Sequence, residues 1–398
     1  MSGPDRTLFW LAAASFASMA SMRICDPMLP AIAGDFGIAA AGASGVVTLY
    51  AIGYGLSQLA HGPLGDRIGK ARYIAGAALA AALASLLCAQ AGGLAMLELG
   101  RLLTGAIAAA IIPLSMAWIG DAVPYEQRQA TLAKYLNGTI LGAILGQAMG
   151  GALADTLGWR SAFVVLALIF ALAGWQLRKA ARAAGGQMQP GTAPAPAGPP
   201  PADSAAGRYA AVLRSSWARV ILAIVAIEGL LAFGALAFIP TSLHERSGMP
   251  VWLAGATMAA FGVGGFVYTS NAARLLRRLG ESGLAAGGGA LLALGFALIA
   301  AAPATGVLAC ALIGLGYHML HNTLQTHATQ MAPSARGTAV ALFAMCLFLG
   351  QSVGVAMAAR SVAEAGFVPV FAAAGAGLLA TGAVFAMLLR RHRRPDPA

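Results

Sequence analysis

The sequence has little charge. Aspartate, glutamate, lysine and arginine together make up 10% of its 398 residues, whereas soluble domains carry about 25%. Hydrophobic residues make up 59%, and the mean hydropathy is +0.75. A soluble fold of this size cannot cover its surface with so few polar groups, and the same values exclude a disordered or collagen-like chain. The composition therefore indicates an integral membrane protein.

Acidic residues and cysteines are also few. The sequence has 14 acidic residues and 25 lysines and arginines, which gives a net charge of +11. The four cysteines, Cys25, Cys88, Cys310 and Cys346, lie in apolar stretches without metal-ligand spacing. No disulfide framework, structural metal or other cofactor is therefore predicted. Nucleic-acid binding would need a basic face exposed to water, and membrane topology explains the excess of basic residues without it.

Long apolar runs are abundant. A spanning helix needs about 20 mostly apolar residues. The runs are continuous and rich in alanine and leucine, which favours helices over a β-barrel. The first run also holds Arg23 and Asp26 and is too long for a cleaved signal peptide. The sequence therefore predicts an all-α integral membrane protein with twelve spanning helices, at about 8–31, 42–61, 73–92, 96–118, 129–152, 160–177, 218–240, 251–270, 283–302, 305–328, 338–358 and 367–389.

The basic residues predict the orientation. With the amino terminus in the cytoplasm, all but five of the 25 lysines and arginines fall in cytoplasmic connections or termini. The five exceptions are Arg23, Arg101, Arg160, Arg246 and Arg360. Positively charged loops stay on the cytoplasmic side, so both termini are predicted to be cytoplasmic, in a bacterial inner membrane.

The chain divides into two similar halves. Six prolines between residues 190 and 201 forbid a helix there, which predicts a flexible cytoplasmic linker over 183–217 between domains 1–182 and 218–398. Gly146-Gln147 with Gly150 returns as Gly350-Gln351 with Gly354. Duplicated halves around one cavity are typical of transporters, so we expect two pseudo-symmetric six-helix bundles.

The segment Gly62-Pro-Leu-Gly-Asp-Arg-Ile-Gly-Lys70 follows the second predicted helix. It resembles the motif G-x-L-x-D-R-x-G-[RK]-[RK] of the major facilitator superfamily and departs from it at Ala71. The resemblance implies a loop that latches the two bundles in the outward-facing state, and the repeat puts the partner of this loop near Arg336. This gating loop comprises Gly62, Gly65, Asp66, Arg67, Gly69 and Lys70.

The fourth and fifth predicted helices carry two further elements. Arg101 is a lone arginine within a span, where a charge is costly and usually functional; Glu98 is the alternative surface partner for it. Gly142, Gly146 and Gly150 form a stripe of small residues that lets another helix approach closely. Their spacing also resembles a glycine signature of exporters in the superfamily, with Gln147 in place of its proline.

Asp26 is the predicted proton-coupling residue. It lies one turn from Arg23 and at the same membrane depth as Arg101, so either arginine is a candidate partner. Asp26 and Pro30 also resemble a D-x-x-x-P element of the drug:proton antiporter branch. The alternative is a static ion pair that fixes the first helix.

Other polar residues within spans are predicted to line a substrate cavity. Glu228 lies near the midplane and has no basic residue on its own helix, so it is predicted to contact substrate, with proton coupling as the alternative. Four polar residues of the tenth helix share one face, and two histidines without a third ligand favour cavity lining over a metal site. The predicted cavity residues are Glu228, Tyr50, Tyr54, His318, His321, Asn322, Gln325, Gln147 and Gln351.

These observations predict a transporter and not an enzyme. The resemblance implies a monomeric, proton-coupled secondary transporter that exports a small amphiphilic or drug-like compound by alternating access. Its partners are then a small-molecule substrate, protons and the lipid bilayer, with no nucleic acid. Export of a sugar, an amino acid or another metabolite, and uptake by proton symport, stay open. A membrane sensor that transports nothing is the hypothesis from a different class.

Overall fold

The computed structural model describes residues 3–183, 205–332 and 336–392, which are helical and contain no strand. The helices of the first half are α1 (Gly3–Arg23), α2 (Leu29–Phe36), α3 (Gly45–Ile68), α4 (Lys70–Ala89), α5 (Leu94–Ala108), α6 (Ile111–Ala122), α7 (Tyr125–Thr156) and α8 (Trp159–Ala183). The remaining helices are α9 (Ala205–Arg214), α10 (Ser216–Glu228), α11 (Gly234–Leu236), α12 (Ile239–Ser247), α13 (Val251–Thr257), α14 (Ala259–Ala301), α15 (Gly306–Gln330), α16 (Arg336–Ala365) and α17 (Phe367–His392). A π-helical segment, Gly229–Phe233, joins α10 to α11.

All twelve predicted runs lie in helical regions, although several are broken. The first run covers α1 and α2, the fourth covers α5 and α6, and the seventh covers α10 to α12. The long α14 holds most of the eighth run and the ninth, and it bends at Gly280, whose φ of +63° is readily adopted only by glycine. By length and composition, the described residues hold nine helical segments able to cross a membrane, or ten with a bent pair. The all-α multi-pass fold is confirmed, and the count of twelve stays a prediction.

The predicted linker at 183–217 is partly helical. Residues 184–204 lie outside the described residues, but α9 occupies Ala205–Arg214, beyond the last of the prolines. The Tyr209 hydroxyl donates a hydrogen bond to the Leu59 carbonyl of α3 at 3.2 Å. This end of the segment is therefore a helix docked on the first half and not a flexible chain.

Helices α7 and α1 pack through the predicted glycine stripe. A Cβ atom built on any of its three glycines would come closer than 3.0 Å to backbone atoms of α1 or of Ile24, the residue that follows it. The helices can therefore approach this closely only because these positions lack side chains. The glycines are Gly142, Gly146 and Gly150, and they face Phe16, Ala20 and Ile24, respectively.

The second half repeats this packing. In α16, a Cβ on Gly350 would meet the Ala226 carbonyl of α10, and one on Gly354 would meet the Leu230 carbonyl of the π segment. These two glycines are the repeat equivalents of Gly146 and Gly150. The internal repeat in the sequence therefore corresponds to a repeated helix–helix contact.

We expect Gly150→Ala to destabilise the protein. The added methyl group would overlap the Ile24 carbonyl oxygen, which belongs to the backbone and cannot rotate away. Overpacking of this kind costs about 1–3 kcal/mol, and thermal unfolding of the purified protein measures it. Gly120→Ala is the matched control, since nothing lies within 4 Å of a Cβ there. Equal unfolding temperatures for the two variants would contradict this explanation.

The two halves meet at the middle of the molecule and at the end opposite the amino terminus. The backbone N–H of Trp252 donates to Asp155 at 2.8 Å, which joins α13 to the end of α7. Near the middle, a Cβ on Gly262 would collide with Ile144, and the rings of Tyr54 and Phe348 lie 4.6 Å apart. The contacts therefore hold the halves together around a space between them.

Candidate functional site

Asp26 lies in the break between α1 and α2. A Nη1 atom of Arg23 lies 3.5 Å from its Oδ2 atom, and both residues are buried. Neither carboxylate oxygen of Asp26 has a hydrogen-bond partner within the described part of the chain. Ion pairing without hydrogen bonds leaves a buried carboxylate poorly compensated. The carboxylate is therefore held in place by one arginine.

Arg23 connects this carboxylate to the second half. Its guanidinium carbon lies 4.2 Å from the centre of the Phe233 ring, within the range of a cation–π contact. Phe233 ends the π-helical segment that follows Glu228. Segments of this kind occur frequently at functional sites. A movement of one half against the other would therefore change the surroundings of Arg23.

Aromatic rings continue the connection from Phe233 to α15. The ring of Tyr317 lies 5.1 Å from Phe233 and stacks on His321 at 4.8 Å. His321 in turn places its Nδ1 atom 2.8 Å from the Oε2 atom of Glu228. We call this series, Asp26, Arg23, Phe233, Tyr317, His321 and Glu228, the bridging chain; it links one buried carboxylate in each half.

Glu228 thus has a partner that its own helix does not reveal. His321 reaches its carboxylate from α15. Glu228 itself is fully buried, and its second oxygen, Oε1, has no hydrogen-bond partner among the described atoms. Any substrate that binds Glu228 must therefore compete with His321 or reach the free oxygen.

Arg101 does not pair with Asp26 in this structure. Its Nε atom donates to the Val46 carbonyl at 3.0 Å, and its Nη1 atom donates to the Ser21 hydroxyl at 3.3 Å. Its guanidinium also lies over the Tyr50 ring at 4.2 Å. Glu98, the alternative partner, does not pair with it within the described residues either. Arg101 therefore ties α5 to α1 and α3 through neutral groups.

A cavity of about 270 Å³ lies between the two halves. Arg23 and Gln147 line it from the first half, and His318 and Tyr317 line it from the second. The Oε1 atom of Gln147 is buried without a hydrogen-bond partner in the described residues, so it is available to a bound molecule. The other lining residues are mainly apolar and include Met19, Ile144, Phe233, Leu236, Met258, Phe261 and Phe266.

Of the nine predicted cavity residues, all within the described part of the chain, Gln147 and His318 line this cavity, and Glu228 and His321 are among the seven that do not. Tyr50 and Tyr54 stack on each other at 6.1 Å and are buried in packing contacts. Gln351 is also buried, and neither of its amide atoms has a hydrogen-bond partner in the described residues. On α15, Asn322 is half-buried and Gln325 is exposed. The predicted polar face of α15 therefore turns only partly towards the cavity.

The gating loop lies at the end of α3, on the side of the amino terminus. Gly69 has a φ of +94°, which favours glycine, and a Cβ on Gly65 would collide with Leu114. Lys70 bridges two carboxylates, since its Nζ atom lies 3.1 Å from Asp66 and 2.7 Å from Asp121. The remaining loop positions, Gly62 and Arg67, are exposed.

Within the residues that the structure describes, Asp66 forms no ion pair with Arg336, the predicted region of its partner. The ion-pair partner of Asp66 is Lys70, within the same half. The two halves meet instead through contacts such as Trp252 with Asp155, at the opposite end of the molecule. A latch between the halves on the side of the gating loop thus requires a different arrangement of the two halves.

Sequence comparison identifies a family. Residues 11–355 match the family model described as Major Facilitator Superfamily. Three bacterial relatives share partial similarity. The uncharacterized transporter YgaY of Escherichia coli is 32% identical over 165 residues, 41% of both chains. The fatty acid resistance protein FarB of Neisseria gonorrhoeae is 29% identical over 42% of this chain and 32% of its own. The multidrug export protein EmrB of Escherichia coli is 28% identical over 39% and 30%, respectively.

The match thus spans less than half of the length of each of these relatives. Solved structures match over nearly the whole chain. The nucleoside transporter NupG aligns with a TM-score of 0.77 at 14% identity, over 98% of this chain and 100% of its own. A bacterial homolog of the human lysosomal transporter Spinster aligns with a TM-score of 0.74 at 16% identity, over 100% of both chains. At such identities, these structures show the fold alone.

Proposed function

The chain belongs to the major facilitator superfamily, and on that basis we propose that this multi-pass membrane transporter exchanges protons for a small amphiphilic or drug-like compound, which it exports. In this proposal, two bundles of six helices rock around the cavity between them. Asp26, with Arg23, carries the coupling proton, and Glu228 contacts the substrate. The protein acts as a monomer in a bacterial inner membrane, with both termini in the cytoplasm.

The observation that carries the proposal is the bridging chain. Arg23 touches Asp26 in its own half and Phe233 in the other half. When the halves move apart or together, Arg23 must lose or change its contact with Phe233, and its distance to Asp26 can change with it. A carboxylate with a movable cationic partner can bind and release a proton during the cycle. Conformational change and proton occupancy are thereby connected.

The cavity supports an amphiphilic substrate. Its walls are mostly apolar, with three phenylalanines, two methionines and two isoleucines, and its polar groups include those of Arg23, Gln147 and His318. Such a surface binds an apolar body and orients one polar group. Two of the relatives have names that refer to resistance and multidrug export, which favours export over uptake.

Transport in proteoliposomes tests the proposal. Purified protein is reconstituted, a proton gradient is imposed, and movement of candidate amphiphilic compounds is compared with empty liposomes. Antiport predicts that the substrate moves in the direction opposite to that of the protons, and that a protonophore stops this movement. Gradient-driven movement in the same direction as protons would show a symporter instead. Absence of counterflow for every compound that shifts the unfolding temperature would favour a sensor.

The gating loop gives a second prediction. Asp66→Asn should slow transport because a latch on the gating-loop side would lose its charge, while the amount of protein in the membrane should not change. Asp66 is 67% exposed, and exposed ion pairs contribute only about 0–1 kcal/mol, so folding should be unaffected. The initial rate of transport at equal protein amounts measures the effect.

Asp121→Asn is the matched control for this variant. It also removes a carboxylate from Lys70 but lies outside the gating loop. If both variants slow transport equally, the shared Lys70 contact explains the effect and the latch does not. Undiminished transport by Asp66→Asn would remove Asp66 from the mechanism.

A further inference from the structure

A basic groove lies between α4 and α8, away from the cavity between the halves. Its volume is about 710 Å³. Arg72 begins one wall in the first turn of α4, and Arg178 and Arg182 lie in the last two turns of α8. The lining residues are Arg72, Ala75, Gly76, Leu79, Arg178, Ala181 and Arg182.

The charge of this groove is not balanced. Within the described residues, no carboxylate lies within 4.0 Å of Arg72, Arg178 or Arg182, and all three side chains are exposed. Three neighbouring guanidinium groups repel one another and present many N–H donors in planar forks. Such a cluster fits an anion with several oxygen acceptors, above all a phosphate group.

The groove also has an apolar floor, which runs along the two helices. Nothing lies within 4 Å of a Cβ built on Gly76, so the floor is open there. Further along the groove, α4 and α8 come into close contact, and a Cβ on Gly174 would lie 2.9 Å from Leu79. Leu79 lies seven positions after Arg72, which corresponds to a depth of about 10 Å along the helix. The floor consists of alanine, glycine and leucine.

A neighbouring tryptophan indicates where the groove meets the membrane. Trp175 is 58% exposed, and the Lys179 Nζ atom lies 5.8 Å from its ring. With Arg178 and Arg182, these residues lie on one face of α8, because they are spaced by three, four and seven positions. Exposed tryptophans of membrane proteins concentrate at the level of the lipid headgroups. The three arginines therefore lie at the height of the lipid phosphates.

We propose that this groove binds an anionic phospholipid, whose phosphate contacts the three arginines and whose acyl chain follows the apolar floor towards Leu79. Basic pockets between membrane helices on the cytoplasmic side recognise such headgroups. A lipid accounts for both the charge and the apolar floor, whereas a free phosphate would use only the charge. The site is separate from the transport cavity, so it does not depend on the proposed function.

Native mass spectrometry of the purified protein tests this inference. The protein in detergent is incubated with phosphatidylglycerol or with phosphatidylcholine of the same acyl chains, and bound lipid is counted at each concentration. We expect phosphatidylglycerol to bind more tightly. Replacement of Arg72, Arg178 and Arg182 by glutamine should weaken its binding about one-hundredfold, and each single replacement should weaken it about fivefold.

Two controls distinguish a built site from general attraction. Replacement of Arg274, Arg277 and Arg278 by glutamine removes the same charge from exposed positions of α14, and it should leave binding unchanged. Gly76→Leu keeps all three arginines but fills the floor, and it should also weaken phosphatidylglycerol binding. This variant keeps the test decisive if the triple groove variant does not fold.

Three results would overturn the proposal. They are equal binding of the two lipids, an equal loss in the groove and α14 triple variants, and unchanged binding in Gly76→Leu. A fourth result, displacement of the lipid by millimolar inorganic phosphate, would show a free-anion site and would also overturn the proposal.

Discussion

Asp26→Asn should abolish transport driven by a proton gradient while substrate binding stays measurable. Asparagine keeps the size of the side chain but cannot take up and release a proton, so the gradient can no longer be used. The carboxylate of Asp26 lies 3.5 Å from Arg23 and has no hydrogen bonds within the described residues, so few other contacts are disturbed. Proteoliposome flux with and without the gradient measures coupling, and a thermal-shift titration measures binding.

Arg23→Gln and Arg101→Gln are informative companions. Arg23 pairs with Asp26 and contacts the second half, so its loss should also impair coupling. Arg101 bonds neutral groups, so its loss should lower stability without selectively removing the response to the gradient. The assignment fails if Asp26→Asn retains gradient-driven flux at the rate of the unmodified protein.

Glu228→Gln should weaken the binding of cationic compounds by about one to two orders of magnitude, as expected for loss of a charge-assisted contact. Binding of neutral analogues of similar size should change little. Glutamine can still accept a hydrogen bond from His321, whose Nδ1 atom lies 2.8 Å from Glu228, so the variant should fold. Titrations of a cationic compound and of its neutral analogue measure the difference.

His321→Asn is the control for Glu228. It removes the partner but leaves the carboxylate, so a cationic compound should bind at least as well as before. If both Glu228→Gln and His321→Asn eliminate gradient-driven transport with affinity intact, then this pair carries the proton. The roles of Asp26 and Glu228 would then be reversed.

Local sequence patterns predicted the elements that depend on neighbours along the chain. Apolar runs predicted the helices, and the four-residue spacing of Gly142, Gly146 and Gly150 predicted a close helix contact because small residues on one face permit it. The same reasoning placed Arg23 beside Asp26, since residues three apart share a helical face. These features need no knowledge of how distant helices are arranged.

Contacts between distant helices could not be predicted in this way. The pairing of Glu228 with His321 joins residues 93 positions apart, and nothing in the sequence indicates that these two residues are partners. Arg101 shares the depth of Asp26, but depth does not fix the direction of a side chain, and it turns towards Val46 instead. In the sequence, nothing distinguishes Phe233 from the other apolar residues of the spanning helices. Only the packing of the two halves brings it to Arg23.

The π-helical segment Gly229–Phe233 has a consequence for insertions and deletions in this protein. Such a segment accommodates one residue more than an α-helix in the same turn, and each residue advances an α-helix by about 100°. Deletion of a single residue there would let the helix continue in regular α-helical form, and Phe233 would still point towards Arg23 and Tyr317. Deletion of a single residue from α10, which has no extra residue to lose, would instead turn Phe233 by about 100° relative to the start of that helix and away from both partners.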